Sequence, residues 1–237
     1  LPTTEKCVIL VPVGQSIAPA CERGLRQLEA RGYPVWRVYG FAAIDVARSW
    51  IATQALQQGF EELMWIDADI GFEFPDVERL RAHNLDLAAA VYPKKGKHAL
   101  ACHVLPGTER LVLGQQGGLM EVLYTAAGFL YTRRRLYEDI RQVCRLPVCN
   151  ERLGDPLIPF FQPLVVEEDG ACRYLGEDFA FCHRARQAGR KILVDLSIRL
   201  WHIGQYAYGW EDAGSPLTRY ETYDFRLSPP KPPGSQG

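Results

Sequence analysis

Two aspartates, Asp67 and Asp69, directly follow the apolar run of residues 63–66. Such a run reads as a buried strand, and residues two apart on extended chain point to the same side. In an open α/β sheet, ligands sit beyond the carboxyl ends of the strands. The two carboxylates can therefore face one site. Side by side they repel unless a proton or a cation joins them. A hard divalent ion with oxygen ligands meets that need, and it also neutralises a diphosphate. Aspartates end strands and begin turns for purely local reasons as well, so the pair is a candidate and not yet a site.

A second acidic pair, Glu177 and Asp178, follows Gly176 and opens a helical stretch. Negative residues suit a first helical turn because unpaired N–H groups and the helix dipole favour them. A carboxylate there can also act as a general base, provided an acceptor hydroxyl comes within hydrogen-bond reach. His202 stands in Trp201-His202-Ile203-Gly204, ahead of Tyr206, Tyr208 and Trp210. Its imidazole can give a nitrogen to a manganese-like ion. The aromatic rings can stack on sugar or base faces, or simply pack on the core. Lys94, Lys95 and Lys97 form either a solvated loop or one that steers an anionic ligand.

These residues need a scaffold, and the hydrophobic pattern supplies one. Residues 7–13 read as a buried parallel strand broken by Gly14 and Pro19. Helical periodicity over 20–31 ends at Gly32; 35–39 is a strand; 44–58 is a helix closed by Gly59. Residues 62–66 form the strand before Asp67, 75–83 a short helix and 85–92 a fourth strand. Antiparallel hairpins are expected over 100–123, a short strand over 127–131 and a helix over 134–144. Residues 145–174 read mostly as loop, 177–188 as a helix stopped by Gly189, and 191–195 as a strand. The alternation predicts an α/β fold: a mostly parallel sheet flanked by helices, with a small antiparallel extension. One domain is expected over 1–226, followed by a disordered Pro-rich tail over 227–237.

The net charge of -1 offers no global basic field for nucleic acid or an anionic membrane. Seven cysteines at irregular spacing, with no CxxC pair, argue against a zinc knuckle. Most read as buried thiols in a reducing compartment, with a Cys144–Cys149 loop disulfide as the alternative. No run of about 18 apolar residues is present, so no transmembrane segment is expected. With no signal-peptide pattern, the expected location is cytoplasmic.

Six short motifs in order resemble GT-A fold glycosyltransferases, particularly the family-2-like bacterial and viral enzymes. They are Val11-Pro12-Val13, Ile44-Asp45-Val46-Ala47-Arg48, Met64-Trp65-Ile66-Asp67-Ala68-Asp69-Ile70, Ala127-Gly128-Phe129, Gly176-Glu177-Asp178-Phe179 and Trp201-His202-Ile203-Gly204. The stretch from Trp65 to Ile70 is also similar to fungal Anp1-type mannosyltransferases. The resemblance spans residues 7–210 and implies a Rossmann-like nucleotide-diphospho-sugar transferase fold. It further implies metal-dependent transfer of sugar from a UDP- or GDP-sugar to an acceptor hydroxyl on a glycan, a lipid-linked molecule or a protein. By resemblance, Pro12, Val13 and Gly14 lie against the nucleotide base, and Asp45 and Arg48 contact the nucleotide. Asp69 binds Mn2+ or Mg2+, with Asp67 on ribose or metal-bound water and Ala68 between them. His202 is a further metal ligand, and Gly128 lets the donor sugar approach the backbone. Asp178 is the base of inverting members, and Glu177 is its neighbour at the acceptor. Ser49 departs from the pattern, since many relatives carry Asn there. Acceptor selection is expected from the 145–174 region.

Other readings remain open at this level. Retaining glycosyltransferases share the scaffold, and a non-catalytic carbohydrate-binding domain could derive from it. A haloacid-dehalogenase-type phosphatase also places Asp-x-Asp after a strand, but Ile70-Gly71-Phe72 follows here. A sugar nucleotidyltransferase needs a Gly- and basic-rich phosphate loop after the first strand, and residues 14–18 are a poor version of one.

Overall fold

The computed structural model describes residues 3–168, 170–214 and 222–227. The chain opens with β1 (Cys7–Pro12), α1 (Pro19–Glu29), β2 (Val35–Val38), α2 (Ile44–Gln57), β3 (Glu62–Ile66), β4 (Ile70–Gly71), α3 (Phe74–Ala82) and β5 (Leu87–Ala89). There follow β6 (Cys102–Val104), β7 (Arg110–Gly114), β8 (Leu119–Thr125), β9 (Phe129–Arg133) and α4 (Arg134–Val143). The last part holds β10 (Leu164–Glu168), β11 (Ala171–Leu175), α5 (Glu177–Gln187), β12 (Ile192–Asp195), β13 (Trp201–Ile203), β14 (Ala207–Tyr208) and β15 (Thr222–Arg226).

Eight strands form one sheet in the order β2-β1-β3-β9-β5-β12-β8-β6. β1 runs parallel to β2 and β3, and β5 parallel to β12. β9 is antiparallel to both β3 and β5, and β8 to both β12 and β6. Only β9 and β8 therefore oppose the other six. The expected α/β architecture, a mostly parallel sheet between helices, is the observed one.

The continuous apolar runs have a direct cause. Along β1, Val8 and Leu10 enter the core on one face, while Cys7, Ile9 and Val11 enter the core on the other. β3 divides in the same way, with Leu63 and Trp65 on the first face and Met64 and Ile66 on the second. A strand buried on both faces has no polar side to alternate with. Helices α2, α4 and α5 cover the first face through Ile51, Tyr137 and Phe181. Helices α1 and α3 cover the second through Leu25 and Leu80. Gly59 ends α2 at φ +83°, a conformation that side chains with a Cβ seldom adopt.

Four expectations need correction. The strand expected over 85–92 is shorter, Leu87–Ala89, with one further bond from Ala90 N–H to Phe129 O at 3.1 Å. The antiparallel extension is present, but residues 100–123 do not build it from consecutive hairpins: β8 and β6 pair with each other at the edge of the main sheet, while β7 pairs with β15. The 145–174 region contains the β10–β11 hairpin. That hairpin exposes Val165 (63%) and Tyr174 (71%), so its apolar residues do not mark one buried face, and pattern reading passes over it. The Pro-rich tail expected over 227–237 lies outside the described residues beyond 227. All seven cysteines are free, including Cys144 and Cys149; Cys7, Cys21 and Cys182 are buried, but Cys102, Cys144 and Cys149 are only half-buried and Cys172 is exposed, against the expectation of mostly buried thiols. Among the described residues, no helix is long and apolar enough to cross a membrane.

Candidate active site

Asp67 stands at the carboxyl end of β3, and its N–H donates to Gly128 O at 2.9 Å. Arg48, in the second turn of α2, comes up beside it and is 2% exposed. Arg48 Nη2 donates to Asp67 Oδ1 at 2.7 Å, and Arg48 Nε lies 3.7 Å from Asp178 Oδ1. One guanidinium thus spans the strand-end aspartate and the aspartate of the first turn of α5. Arg48 Nε and Nη1 and Asp178 Oδ1 are buried without a hydrogen-bond partner. Burial pushes the Asp178 carboxyl well above the ordinary carboxylate range; Arg48 opposes this, and the charges of Glu177 and Asp67 add to it. The Asp178 side chain keeps 22% exposure beyond its buried Oδ1.

A second group forms around Asp69. The short strands β4 and β13 pair antiparallel, with His202 opposite Ile70, and Ile203 N–H donates to Asp69 O at 2.7 Å. This pairing carries His202 to the end of β3 from the far end of the chain. His202 Nδ1 lies 2.8 Å from Pro93 O. A carbonyl only accepts, so Nδ1 holds a proton, and Nε2 can donate to a carboxylate or, when it holds no proton, give its lone pair to a metal ion. Nε2 faces Asp69 Oδ2 at 3.5 Å. The same Oδ2 accepts from Lys95 Nζ at 2.5 Å. Burial acts to raise the Asp69 carboxyl, but His202 and Lys95 outweigh it and hold it at about 2.

Tyr92 joins the two groups. Its ring meets that of His202 edge-on at 5.1 Å, and its hydroxyl accepts the Gly128 N–H at 3.1 Å. A Cβ on Gly128 would overlap Tyr92 Oη and lie 2.8 Å from Asp67 Oδ2. Glycine is required there by the packing of the chain's own side chains. In the sequence Tyr92 marks only the end of a strand, and no spacing ties it to Gly128.

The remaining candidates take several settings. Pro12 and Val13 are buried at the end of β1, and Gly14 is exposed. Val13 N–H donates to Val38 O, and Ala18 N–H to Ala68 O, both at 2.8 Å, so the loop after β1 rests on Ala68. Asp45 is half-buried on the first turn of α2. Glu177 is half-buried and precedes Asp178 in the first turn of α5, where its charge adds to the rise at Asp178. Ser49 points elsewhere: its Oγ accepts from Phe161 N at 3.1 Å and, with Thr53 accepting from Ile158 N, ties the 158–161 segment to α2. Among the described residues, no group of three or more His, Cys, Asp or Glu side chains converges as a metal cage. Asp69 and His202 present two facing donors, while Asp67 is turned to Arg48. A cavity of about 400 Å³ between α2 and α4, lined by Leu56, Arg134 and Tyr137, includes none of these carboxylates.

Fold and site together define an α/β protein with a cluster of acidic side chains, two of them bridged by a buried arginine, beside the carboxyl end of β3. No family model matches the chain, and no curated protein is detectably similar to it in sequence. In structure it is similar to A197 from STIV, with a TM-score of 0.54 and 13% identity over 90% of this chain and 98% of that one. That likeness shows a shared fold. Slighter likenesses are to a glycosyltransferase involved in glycosylation of the major capsid of PBCV-1 (TM-score 0.32, 12% identity, 56% of this chain and 62% of that one) and to S. aureus TarS (0.41, 13%, 86% and 36%).

Proposed function

We propose that the chain is a glycosyltransferase that moves a sugar from a UDP- or GDP-sugar to an acceptor hydroxyl with inversion. The observation that carries this reading is that the turn after β3 holds two neighbouring acidic groups, Asp67 bridged to Asp178 through Arg48 and Asp69 facing His202. Asp178 takes the proton of the acceptor hydroxyl. The hydroxyl oxygen attacks the anomeric carbon, and the bond from that carbon to the diphosphate oxygen breaks, its electron pair leaving with the nucleoside diphosphate. A base whose affinity for protons is raised by burial suits this role, because proton transfer is most efficient from a group matched to the working pH.

Asp69 and His202 would hold a manganese or magnesium ion, whose charge offsets that of the departing diphosphate. Their chemistry fits: a carboxylate and an imidazole nitrogen able to give its lone pair once deprotonated face each other 3.5 Å apart. In this reading Arg48 serves the protein's own carboxylates, since it is buried against Asp67 and Asp178. The loop of Pro12, Val13 and Gly14, with Asp45, is left to receive the nucleotide. The acceptor is assigned to a cavity of about 480 Å³ lined by His98, Cys102, His103, Leu123 and Arg173. Its His103 ring lies 4.7 Å from that of Phe179, the residue after Asp178, and Arg173 comes from the 145–174 region.

A thermal-shift screen of UDP- and GDP-sugars with and without manganese tests the reading. Binding to the folded state alone raises the midpoint. The expected result is a rise that needs both donor and ion; no rise with any donor sinks the proposal. Proton NMR of the product's anomeric centre checks inversion, and a retained configuration removes the role given to Asp178.

A further inference from the structure

Lys95 occupies the position where a cation at Asp69 would bind. Its Nζ lies 2.5 Å from Asp69 Oδ2, the oxygen that His202 Nε2 also faces. The placement is built into the fold. Pro93 O receives the His202 Nδ1–H at 2.8 Å, Lys94 N–H donates to Ala99 O at 2.8 Å, and Pro93 pairs with Leu100. The turn that carries Lys95 is therefore pinned to the same histidine that faces Asp69. The lysine stem then crosses Gly204, where a Cβ would meet Lys95 Cδ at 3.1 Å. A side chain at 204 would press on the stem that delivers the ammonium.

An ammonium and a divalent ion repel strongly when both press on one carboxylate oxygen. Any ion held by Asp69 and His202 must displace Lys95. The side chain is 35% exposed and has a flexible four-carbon stem, so it can swing while its backbone stays pinned. After the swing its charge would still lie close to Asp69 and His202, within reach of an anionic donor drawn to the same place.

We propose that Lys95 is a two-position residue. In the ligand-free protein it neutralises Asp69, and in the loaded protein it yields that carboxylate to the ion and binds the donor's diphosphate. The inference rests on the glycosyltransferase reading and predicts opposite effects of one substitution. Lys95→Met should bind Mn2+ about fivefold more tightly than wild type in the absence of nucleotide, because a competing charge is gone. With Mn2+ present, the same variant should bind UDP or GDP about tenfold more weakly, because a charge-assisted hydrogen bond is lost. Lys95→Arg should restore much of the nucleotide affinity.

Electron paramagnetic resonance of unbound Mn2+ measures the first effect, and calorimetry with UDP, and with GDP in parallel, measures the second. Manganese affinity in Lys95→Met equal to or below that of wild type overturns the inference while leaving the glycosyltransferase reading in place. Unchanged nucleotide affinity in that variant does the same. A wild-type protein that binds neither Mn2+ nor either nucleotide overturns both.

Discussion

Arg48 Nε and Asp178 Oδ1 face each other at 3.7 Å, and neither atom has a hydrogen-bond partner. The same guanidinium is already committed to Asp67 through Nη2. A buried cation shared by two carboxylates restrains both without saturating either. Removing it leaves two acidic groups to repel in a partly dry cleft.

Arg48→Met is expected to destabilise the fold by about 3–5 kcal/mol, the range for breaking a buried ion pair from one side. Urea denaturation measures it. Arg48→Lys is expected to recover little, because a point charge cannot reach both carboxylates as a planar fork does. Full recovery of stability in Arg48→Lys would argue that simple charge balance is all that Arg48 supplies.

The pH profile follows from Asp178, which burial and its acidic neighbours push up to about 7. A base works only when ionised, so kcat/KM should climb as pH rises through about 7. The stability effect has the opposite sense. The folded state binds this proton more tightly than the unfolded chain, so ionisation at Asp178 erodes stability as pH rises from the ordinary carboxylate range to about 7. Asp178→Asn should therefore melt higher than wild type above pH 7 while losing turnover. A variant that loses turnover and melts lower there would point to a structural role instead.

Gly128 offers a packing test. Gly128→Ala drives a methyl group into Tyr92 and toward Asp67, at an expected cost of about 1–3 kcal/mol. Tyr92→Phe removes the hydroxyl nearest that methyl. The double variant should then be less destabilised than the sum of the single variants, by about 0.5 kcal/mol or more. Additive free energies in the four-variant cycle would contradict the contact.

Ion dependence can be assigned to single side chains. Asp69→Ala and His202→Ala should abolish the manganese-dependent thermal shift and lower kcat by at least about 100-fold, the loss that even outer-shell partners of a metal can cause. Asp69 is 39% exposed, so its removal should change stability without ligand by less than about 1 kcal/mol. Retained manganese response in both variants would remove these residues from the ion's coordination.

Much of the scaffold could be read from residue order. Both-face burial of β1 and β3 forces runs without polar alternation, amphipathic periodicity marks α1, and glycines close the ends of helices. Each is a short-range consequence of which side chains leave water, so it is visible within a dozen residues. The carboxylates after β3 and at the start of α5 were legible for the same reason: strand ends and helix starts are local. What tertiary structure decided was pairing. β9 enters antiparallel between β3 and β5, and β13 docks on β4 to set His202 beside Asp69. Arg48 is buried against two acids, Tyr92 fills the space above Gly128, and Lys95 reaches Asp69. These contacts join residues distant in the chain, and which strand edge or carboxylate a segment meets depends on where every other element has packed. Local composition carries no record of that choice.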